Sequence, residues 1–349
     1  MADVTRGATS GRATLRDVAE RAGVSPQTVS NYLNGRHVTR PATRERVDRA
    51  IRELGYRPNA AARALRSQRA RAIAFVFEDP NDLGLHDPLH MEFLHGVAAA
   101  AHELDYHLTI SRTAPGETVP AALRLVREGR ADGLILSLGG LDADRDPIRT
   151  LTDERVPVVL LQQWVSVRGV FTVSAQEEIG AEQAAEHLTE LGHRDLAWVC
   201  GKPLWPGPGH RRDGFVRAAK AKGARVREWT CEAYTVESAR ELMATELATD
   251  DRPTGVLAAN DLIALGVIQQ ALAMGLRIPE DLSVVGYNDF DFAGWVSPAI
   301  TTVRVPGGGM GARAVELLVA AIEDGRTAES VAFQAELVVR GTTGPAPRR

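Results

Sequence analysis

The stretch from residue 15 to 35 constrains the fold of this 349-residue chain more than any other. Apolar residues recur there at three- and four-residue spacing, which predicts two short helices. Thr14 and Asp17 have the spacing of a capping box before the first helix, and Gly23 suits the left-handed conformation of a sharp turn. Ser25 can then cap a second helix. The sequence therefore predicts two helices joined by a tight turn.

A third helix is predicted over about residues 42–54, so that three helices can close a small core. The predicted core residues of this head are Leu15, Val18, Ala19, Ala22, Val29, Leu33, Val47, Ala50, Ile51 and Leu54. Four short polar residues of the second helix point outward, namely Gln27, Thr28, Ser30 and Asn31. Such a face either reads base edges in the major groove, where glutamine pairs with adenine, or is an ordinary solvated surface.

The charge distribution favours DNA as the partner of this head. Residues 1–71 carry 15 Arg, no Lys and 6 acidic residues, a net charge of 15 − 6 = +9. The rest of the chain has 26 basic and 39 acidic residues, a net charge of 26 − 39 = −13. A basic module on an acidic chain is typical of a segment that neutralises phosphates and releases counterions. The sequence thus indicates a DNA-binding helix-turn-helix whose affinity falls with salt.

Residues 56–67, between the head and the body, are an alanine-rich segment with one large apolar side chain, Leu65. The segment is too short to form a stable helix alone in water. It can fold when it docks, and a leucine wedged into the minor groove beside arginines would kink the duplex. The alternative is an ordinary linker.

Strands and helices alternate from residue 72 onward in two similar sets, which predicts an α/β body of two lobes with parallel sheets covered by helices. The predicted strands are 72–77, 107–111, 133–137, 156–161, 196–200, 255–259 and 283–287. The predicted helices are 92–104, 119–128, 180–191, 214–222, 237–248, 262–274 and 312–322. Ligands of such sheets bind beyond the carboxyl ends of the strands. That rule selects Asp79, Gln162, Asn260, Asn288 and Asp289, and Asp261 is expected to cap the helix that follows it.

The composition excludes several protein classes. A chain with 44% hydrophobic and 25% charged residues can bury a sizeable core and is not disordered. Residues 1–12 lack the apolar run of a secretory signal and no stretch is long enough to span a membrane, so we expect a cytoplasmic protein without membrane contact. Cys200 and Cys231 lack metal-ligand spacing and are expected to be inert thiols.

No cofactor, metal or catalytic site is predicted. The histidines His86, His90 and His95 lack a full ligand set, and the run at 307–309 lacks the Lys-Ser/Thr of a phosphate loop. An enzyme would need a nucleophile elbow, a Walker loop or paired acids with a base, and the sequence has none of these. A solute-binding protein would share the clamp-shaped body, but it needs an export signal and has no use for an arginine-rich head. Three tryptophans either line the cleft or fill the core, namely Trp164, Trp205 and Trp295.

Two sets of motifs are specific to one family. The head carries Asp17-Val-Ala, Ala22-Gly-Val-Ser, Thr28-Val-Ser, Leu33-Asn-Gly35, Thr43-Arg and Leu54-Gly-Tyr-Arg-Pro-Asn59. The body carries Leu191-Gly-His193, Arg211-Arg-Asp-Gly-Phe215, Ala259-Asn-Asp261, Ala264-Leu-Gly266, Ile278-Pro-Glu-Asp281 and Val284-Val-Gly-Tyr-Asn-Asp289. From about Thr14 to Gly341, the chain resembles the lactose-repressor (LacI/GalR) family of bacterial transcription regulators.

The resemblance implies a homodimer whose paired heads bind a near-palindromic operator, with a hinge helix that forms only on DNA. It also implies a small-molecule effector between the lobes. Most family members are repressors released by a sugar, and some bind DNA better with a purine corepressor. The implied DNA contacts are Thr14, Ser25, Gln27, Thr28, Ser30, Asn31, Asn34, Arg36, Tyr56, Asn59, Ala62, Arg63 and Leu65. The implied effector contacts are Asp79, Gln162, Arg211, Tyr234, Asn260 and Asn288.

This sequence departs from the family pattern in its charge. Asn288 and Gln162 stand where acidic residues are common, and neutral amides make weaker hydrogen bonds to hydroxyls than carboxylates do. Gln176 and Glu177 replace a typical Asp-Asn pair, and Asn31 replaces a common arginine. A carbohydrate is still favoured over other metabolites, but the pocket carries less charge than is usual for a sugar, and the half-site preference of the head can differ.

The expected domain organisation follows from these motifs. It comprises a flexible tail (1–12), the helix-turn-helix head (13–57), the hinge (58–71), the effector-binding and dimerisation body (72–341) and a second flexible tail (342–349). Within the body, lobe 1 is expected to span about 72–174 plus 305–330, and lobe 2 about 175–304 plus 331–341. The C-terminal tail has no apolar heptads, so a dimer rather than a tetramer is expected.

Overall fold

The computed structural model describes residues 13–33, 40–56, 69–78, 88–139, 146–163, 167–202, 205–249, 251–325 and 329–348. The chain divides into two compact units, a head that ends at Ala70 and a body that begins at Arg71. The division falls at the end of the predicted hinge. Residues 57–68, which include most of that hinge, lie outside the described part of the chain.

The head consists of three helices: α1 (Leu15–Ala22), α2 (Pro26–Leu33) and α3 (Pro41–Leu54). Its fully buried residues are Val18, Ala19, Ala22, Val29, Val47, Ala50 and Tyr56. The other predicted core residues are partly buried against them, namely Leu15, Leu33, Ile51 and Leu54. The apolar spacing of the sequence therefore gave the correct core, to which the structure adds Tyr56.

Lobe 1 is a six-stranded parallel sheet with helices on both faces. Its strands lie in the order β11-β5-β4-β3-β1-β2. Its strands are β1 (Ala72–Glu78), β2 (His107–Thr113), β3 (Gly133–Ser137), β4 (Val158–Leu161), β5 (Phe171–Ala175) and β11 (Val331–Phe333). Its helices are α4 (Pro88–Glu103), α5 (Thr118–Arg127), α6 (Asp146–Asp153) and α12 (Gly307–Asp324).

Lobe 2 repeats this plan with one antiparallel edge strand, β12, in the order β12-β10-β9-β8-β6-β7. Its strands are β6 (Asp195–Gly201), β7 (Arg225–Cys231), β8 (Gly255–Ala258), β9 (Ser283–Asn288), β10 (Thr301–Arg304) and β12 (Glu336–Val338). Its helices are α7 (Glu177–Glu190), α8 (Gly207–Ala221), α9 (Val236–Glu246), α10 (Asp261–Ala273) and α11 (Asp291–Trp295). The predicted α/β class with two parallel-sheet lobes is confirmed.

The chain crosses between the lobes three times, after β5, after β10 and between β11 and β12. The third crossing corrects the predicted lobe boundary, because residues 331–333 belong to the sheet of lobe 1 and not to lobe 2. Val331 and Phe333 pair in parallel with Val173 and Ala175 of β5. The backbone N–H of Gln176 also donates to the carbonyl of Phe333 at 2.8 Å, which joins the first crossing to the third.

Glycines let α4 and α12 approach each other closely at the second crossing. A Cβ atom on Gly96 would lie 1.8 Å from the carbonyl oxygen of Gly308, and one on Gly311 would lie 2.3 Å from that of Phe93. Neither position can carry a side chain without moving backbone. Helix α12 begins at Gly307, five residues before its predicted start, so the glycine run 307–309 belongs to a packed helix end.

The prediction of a flexible tail from residue 342 is wrong for residues 342–346. Thr342 is fully buried, and its hydroxyl donates to the carbonyl of Val284 at 2.6 Å and accepts from the N–H of Thr301 at 2.9 Å. The N–H of Ala346 donates to the carbonyl of Leu191. These hydrogen bonds attach the C-terminal segment to the sheet of lobe 2, which a search for apolar periodicity cannot detect.

No helix in the described ranges is long and apolar enough to cross a membrane. Across those same ranges, no group of three or more histidine, cysteine and acidic side chains is arranged to hold a metal ion. The predicted residue His86 lies outside the described part of the chain, while the ring of His90 lies 4.6 Å from that of Phe77.

Candidate DNA-binding head and effector cleft

Helices α1 and α2 begin and end where their capping residues require. The Thr14 hydroxyl accepts from the N–H of Asp17 at 3.3 Å, and the Asp17 carboxylate accepts from the N–H of Thr14 at 2.7 Å. Gly23 ends α1 with a φ of 62°, in the left-handed region. The Ser25 hydroxyl accepts from the N–H of Thr28 at 3.1 Å. The predicted capping box, glycine turn and second cap are all confirmed.

Hydrogen bonds from helix α3 hold the turn between α1 and α2 in place. The Arg46 guanidinium donates to the carbonyl oxygens of Ala22 and Gly23, which are unpaired acceptors at the end of α1. The Tyr32 hydroxyl, on α2, donates to the Asp48 carboxylate on α3 at 2.6 Å. The angle between the two turn helices is therefore held by hydrogen bonds as well as by the small core.

The outward face of α2 carries the residues predicted to read bases. Gln27 is exposed, and Thr28, Ser30 and Asn31 are half-buried. The Gln27 amide donates to the Asn31 side-chain oxygen at 2.9 Å. The two side chains are thus held together on one face, and each keeps further polar atoms for a partner.

The remaining predicted DNA contacts divide into two groups. Thr14 and Ser25 use their hydroxyls as helix caps, and Tyr56 lies in the core of the head with 9% of its surface exposed. A DNA contact through the Tyr56 ring is therefore not favoured by its position. The others lie outside the described residues, namely Asn34, Arg36, Asn59, Ala62, Arg63 and Leu65.

Arg211 forms hydrogen bonds to polar groups that meet at the strand ends of lobe 2. It lies in the first half of α8, is 2% exposed, and its guanidinium lies 4.0 Å from the centre of the Tyr287 ring. Its Nε and Nη2 donate to the two carboxylate oxygens of Glu177 at 2.6 and 3.1 Å. Nη1 donates to the carbonyl oxygen of Ala259 at 2.5 Å, and Nη2 also donates to Oδ1 of Asn288 at 3.2 Å.

Two of the predicted effector residues are asparagines at the ends of neighbouring strands. Asn260 caps α10, since its Oδ1 accepts from the N–H of Ile263 at 2.9 Å. Asn288 ends β9 with a φ of 100°, a strained conformation for a residue with a side chain. Because Arg211 donates to the Asn288 oxygen and to the carbonyl beside Asn260, the structure brings all three predicted residues together.

Tyr234 lies against the end of β6 and is 2% exposed. Its ring packs on Gly201, where a Cβ atom would approach the ring to 2.5 Å, and its hydroxyl is hydrogen-bonded to Sγ of Cys200 at 3.1 Å. The ring of Trp205 lies 4.6 Å from it, and Nε1 of Trp205 is buried with no hydrogen-bond partner in the described structure. Tryptophan N–H groups are usually satisfied when buried. Trp205 therefore offers a donor to a ligand.

Lobe 1 contributes a glutamine pair at the end of β4. Gln162 is 4% exposed with a φ of 53°, and its Nε2 has no hydrogen-bond partner among the described residues. Gln163 donates to the carbonyl of Leu138, but its Oε1 also lacks a described partner. Buried polar groups without partners are rare and are common sites of ligand contact. Gln163 and Trp205 carry this signal, although no specific role was predicted for either from the sequence.

The end of β1 is held by Glu78. Its carboxylate accepts from the N–H groups of Gly116 and Gly139 at 3.3 and 2.8 Å and from the Thr118 hydroxyl at 3.1 Å. These bonds join the loops that follow β1, β2 and β3. The predicted effector residue Asp79 is the next residue and lies outside the described part of the chain.

A cavity of about 630 Å³ lies between α4 of lobe 1 and the strand ends of lobe 2. Among its lining residues are Asn288, Glu92 and Trp295, of which Trp295 is 78% exposed. Burial raises the pKa of Glu92 to about 7, helped by the nearby carboxylates of Asp291 and Asp261. Of the three tryptophans, Trp295 thus lines a cavity and does not fill the core.

Asp261 is not the cap of α10, which corrects the sequence prediction, since Asn260 takes that position. Asp261 is fully buried and accepts from the Thr302 hydroxyl at 2.6 Å and from the N–H of Phe290 at 2.8 Å. Burial raises its pKa to about 7 in spite of these donors. Its carboxylate connects α10 to β10 and to the loop after β9.

Comparison with known proteins is consistent with each of these units. Residues 14–59 match the family described as bacterial regulatory proteins, lacI family, and residues 185–343 match the periplasmic binding protein-like domain. The HTH-type transcriptional repressor PurR of Erwinia tasmaniensis is 32% identical over 343 residues, which cover 97% of this chain and 98% of that protein. The PurR repressor of Vibrio vulnificus is also 32% identical, over 95% of this chain. The chain belongs to the LacI family.

Solved structures of LacI family proteins have the same fold. The CelR–cellobiose complex is 30% identical, with a TM-score of 0.69, and covers 95% of this chain and 100% of that one. The lac repressor dimer bound to operator and the anti-inducer ONPF is 27% identical, with a TM-score of 0.82, and covers 96% and 100%. As a LacI family member, the protein is a DNA-binding transcription regulator and not an enzyme. The resemblance drawn from the sequence motifs is confirmed.

Proposed function

We propose that this LacI family regulator is a cytoplasmic repressor that binds a two-fold symmetric operator as a homodimer. The observation that carries this proposal is the α1–α2 unit, with its capped helices, its tight turn at Gly23 and its exposed polar face at Gln27. The +9 charge of residues 1–71 supplies the phosphate contacts that such a head needs. The similar lac repressor structure is a dimer on its operator.

We further propose that a small molecule between the lobes controls DNA binding, and that a sugar or a similar polyhydroxylated metabolite is this effector. Unsatisfied polar atoms occur at strand ends of both lobes, on Gln162 in lobe 1 and on Trp205 in lobe 2. A ligand that bridges them would satisfy both and would favour one arrangement of the lobes. The similar CelR structure is a complex with cellobiose.

The proposed coupling follows from differential binding to two lobe arrangements. Effector contacts with Gln162, Asn260 and Asn288 favour one arrangement, and that arrangement changes the hinge segments of residues 58–71 so that both half-sites cannot be engaged. A ligand can shift such an equilibrium only by the difference of its affinities for the two states. The reverse sign, in which the ligand promotes DNA binding, uses the same contacts.

Selection from a random duplex library tests the DNA-binding part of the proposal. The purified protein is incubated with the library at moderate salt, and the retained DNA is sequenced. We expect a two-fold symmetric site whose affinity falls steeply as salt rises. Gln27→Ala should weaken discrimination at one base position of each half-site, by about 1–3 kcal/mol. Retention of DNA without sequence preference would contradict the proposal.

Effector control is tested by release from the selected site. Candidate sugars are screened for release of labelled operator, and Gln162→Leu is compared with Gln269→Leu, which changes an exposed glutamine on α10. We expect both variants to bind operator and only Gln162→Leu to lose the response. A Gln162→Leu protein that responds at the wild-type ligand concentration would place the effector elsewhere. Unchanged operator affinity of Leu65→Gly would argue against intercalation by the hinge.

A further inference from the structure

The guanidinium of Arg211 is almost completely occupied by the protein itself. An arginine side chain has five N–H donors. Two of them bind Glu177, one binds the carbonyl of Ala259 and one binds Asn288. One N–H, on Nη1, is left for any ligand. Arg211 is therefore unable to grip a carboxylate or phosphate with the two parallel hydrogen bonds that make arginine an anion receptor.

Glu177 is the residue that occupies Arg211. It is the first residue of α7, it is 1% exposed, and both of its carboxylate oxygens accept from the guanidinium. Its backbone carbonyl also accepts from the hydroxyl of Tyr287 at 2.9 Å. Separating a buried ion pair leaves an uncompensated charge and is strongly unfavourable. An anionic ligand would have to displace this carboxylate to reach Arg211.

The neutral side chains of the site offer a ligand hydrogen-bonding atoms that carry no net charge. Oδ1 of Asn260 is used by the N–H of Ile263, and Oδ1 of Asn288 is used by Arg211. Nε2 of Gln162 is buried with no hydrogen-bond partner among the described residues. The neighbouring amides of Gln162 and Gln163 thus offer a ligand one N–H group and one oxygen without a partner in the described structure, and neither side chain carries a charge.

Other cations on the strands and helices that form the site are also paired. Lys202, after β6, forms an ion pair with Glu232, and Arg212 of α8 pairs with Asp213. Arg304, at the end of β10, pairs with Asp289 at 2.7 Å. Each of these three cations thus already has an acidic partner within the protein, whereas of the four only Arg211 is both buried and paired with a buried acid.

We propose that Glu177 determines the charge of the ligand that this cleft accepts. By holding Arg211, it makes the cleft select neutral ligands that present hydroxyl or carbonyl oxygens to the amide donors, and it excludes carboxylates and phosphates. This inference rests on the proposed function in one respect, namely that the effector binds at these residues. Beyond the proposed function, the inference names Glu177 as the residue that determines whether a neutral or an anionic effector binds.

The first test asks whether Glu177 fills an anion site, and it needs no knowledge of the effector. Glu177→Ala removes a CH₂–COO⁻ group, and acetate supplies the same atoms. Melting temperatures of the full-length protein are measured in sodium acetate and in sodium chloride of equal ionic strength. The matched control is Glu182→Ala on the same helix, which removes a partly exposed partner of Arg217.

We expect acetate to raise the melting temperature of Glu177→Ala in a saturable manner and to leave the wild type and Glu182→Ala unchanged. Where Glu177→Ala does not fold in chloride, acetate should restore its folding. A variant that acetate neither stabilises nor refolds would overturn the inference, and so would equal stabilisation of the wild type.

The second test compares ligands. Binding of glucose and glucuronate, galactose and galacturonate, and inorganic phosphate is measured by calorimetry without DNA, for the wild type and for Glu177→Gln. We expect the wild type to prefer the neutral member of any pair it binds, and Glu177→Gln to bind the acids at least about tenfold more tightly than the wild type does. Tighter binding of an acid by the wild type, or no gain in Glu177→Gln, would overturn the inference.

The two proposals can fail separately. The acetate and calorimetric measurements use no DNA, so a failed operator selection would leave their results standing. Conversely, preference of the wild type for an acidic sugar would overturn the role of Glu177 and leave operator binding and its release by that sugar intact.

Discussion

The carboxylate of Glu92 lies between the two lobes. Glu92 should make the unfolding free energy of the body depend on pH. Its carboxylate lies on α4 against Gly307, where a Cβ atom would approach Oε2 to 2.4 Å. Burial is the largest cause that raises its pKa from 4.5 to about 7; Asp291, Asp261 and Asp289 contribute to this rise, and the N–H of Gly307 opposes it. The folded protein therefore holds this proton more tightly than the unfolded chain does.

The sign and size of the effect follow from proton linkage. A raised acid pKa stabilises the fold fully below about pH 4.5, and this contribution is lost as the pH rises through about 7. The full contribution of Glu92 to the unfolding free energy is about 3 kcal/mol, and about 2 kcal/mol of it is lost between roughly pH 5.5 and pH 8.5. Glu92→Gln removes the titrating group and keeps its size. The variant should therefore gain about 2 kcal/mol of unfolding free energy on the wild type between these two pH values.

Urea unfolding of the wild type and Glu92→Gln at both pH values measures this difference. Glu103→Gln, at the exposed end of the same helix, is the control and should follow the wild type. If the wild type and Glu92→Gln changed equally between the two pH values, the buried position of Glu92 beside the lobe 2 carboxylates would not influence its titration, and the reasoning would be refuted.

Two further predictions concern the caps and the C-terminus. Thr14→Ala should destabilise α1 by about 1 kcal/mol, because Asp17 loses its capping partner, and Thr14→Ser should restore the stability of the helix. Amide exchange of α1 in the full-length protein measures this effect. Unchanged exchange in the alanine variant would contradict the role of the cap. Truncation after Gly341 should lower the unfolding free energy by about 2 kcal/mol, because the two hydrogen bonds of the Thr342 hydroxyl are lost. Truncation after Ala346 should have little effect, and equal urea midpoints for both truncations would show that the docked segment contributes nothing.

The sequence predicted seven of the twelve described strands, and it missed β5, β7, β10, β11 and β12. Strands β5 and β10 are mostly buried, but they are short and rich in threonine and serine, so their apolar signal is weak. Strand β7 mixes arginine and glutamate with apolar residues, and it is an edge strand with few fully buried positions. Strands β11 and β12 have three residues each, too few for a periodic signal. The C-terminal segment is held by the Thr342 hydroxyl and backbone hydrogen bonds, which leave no trace in hydropathy.

The candidate site was predicted in part for a similar reason. The strand-end rule and the family resemblance placed Arg211, Asn260 and Asn288 in the cleft, and the structure brings them together. Glu177 was noticed only as a departure from a family pattern, because its partner Arg211 is 34 residues away. Contacts between distant residues depend on how the strands are ordered, which composition and periodicity do not report. A buried acid at a position where the family has an amide was the available signal.

Glu177 occupies two positions at once, which limits how this protein can change. It is the partner of Arg211 in the cleft, and it is also the first residue of α7, directly after the first chain crossing between the lobes, where Gln176 is hydrogen-bonded to Phe333 of the third crossing. On the proposed role of Glu177, we expect a substitution at this residue to alter ligand recognition and the connection between the lobes together. In evolution, or in the design of a biosensor, a new ligand charge at this site must therefore be accompanied by retuning of the switch.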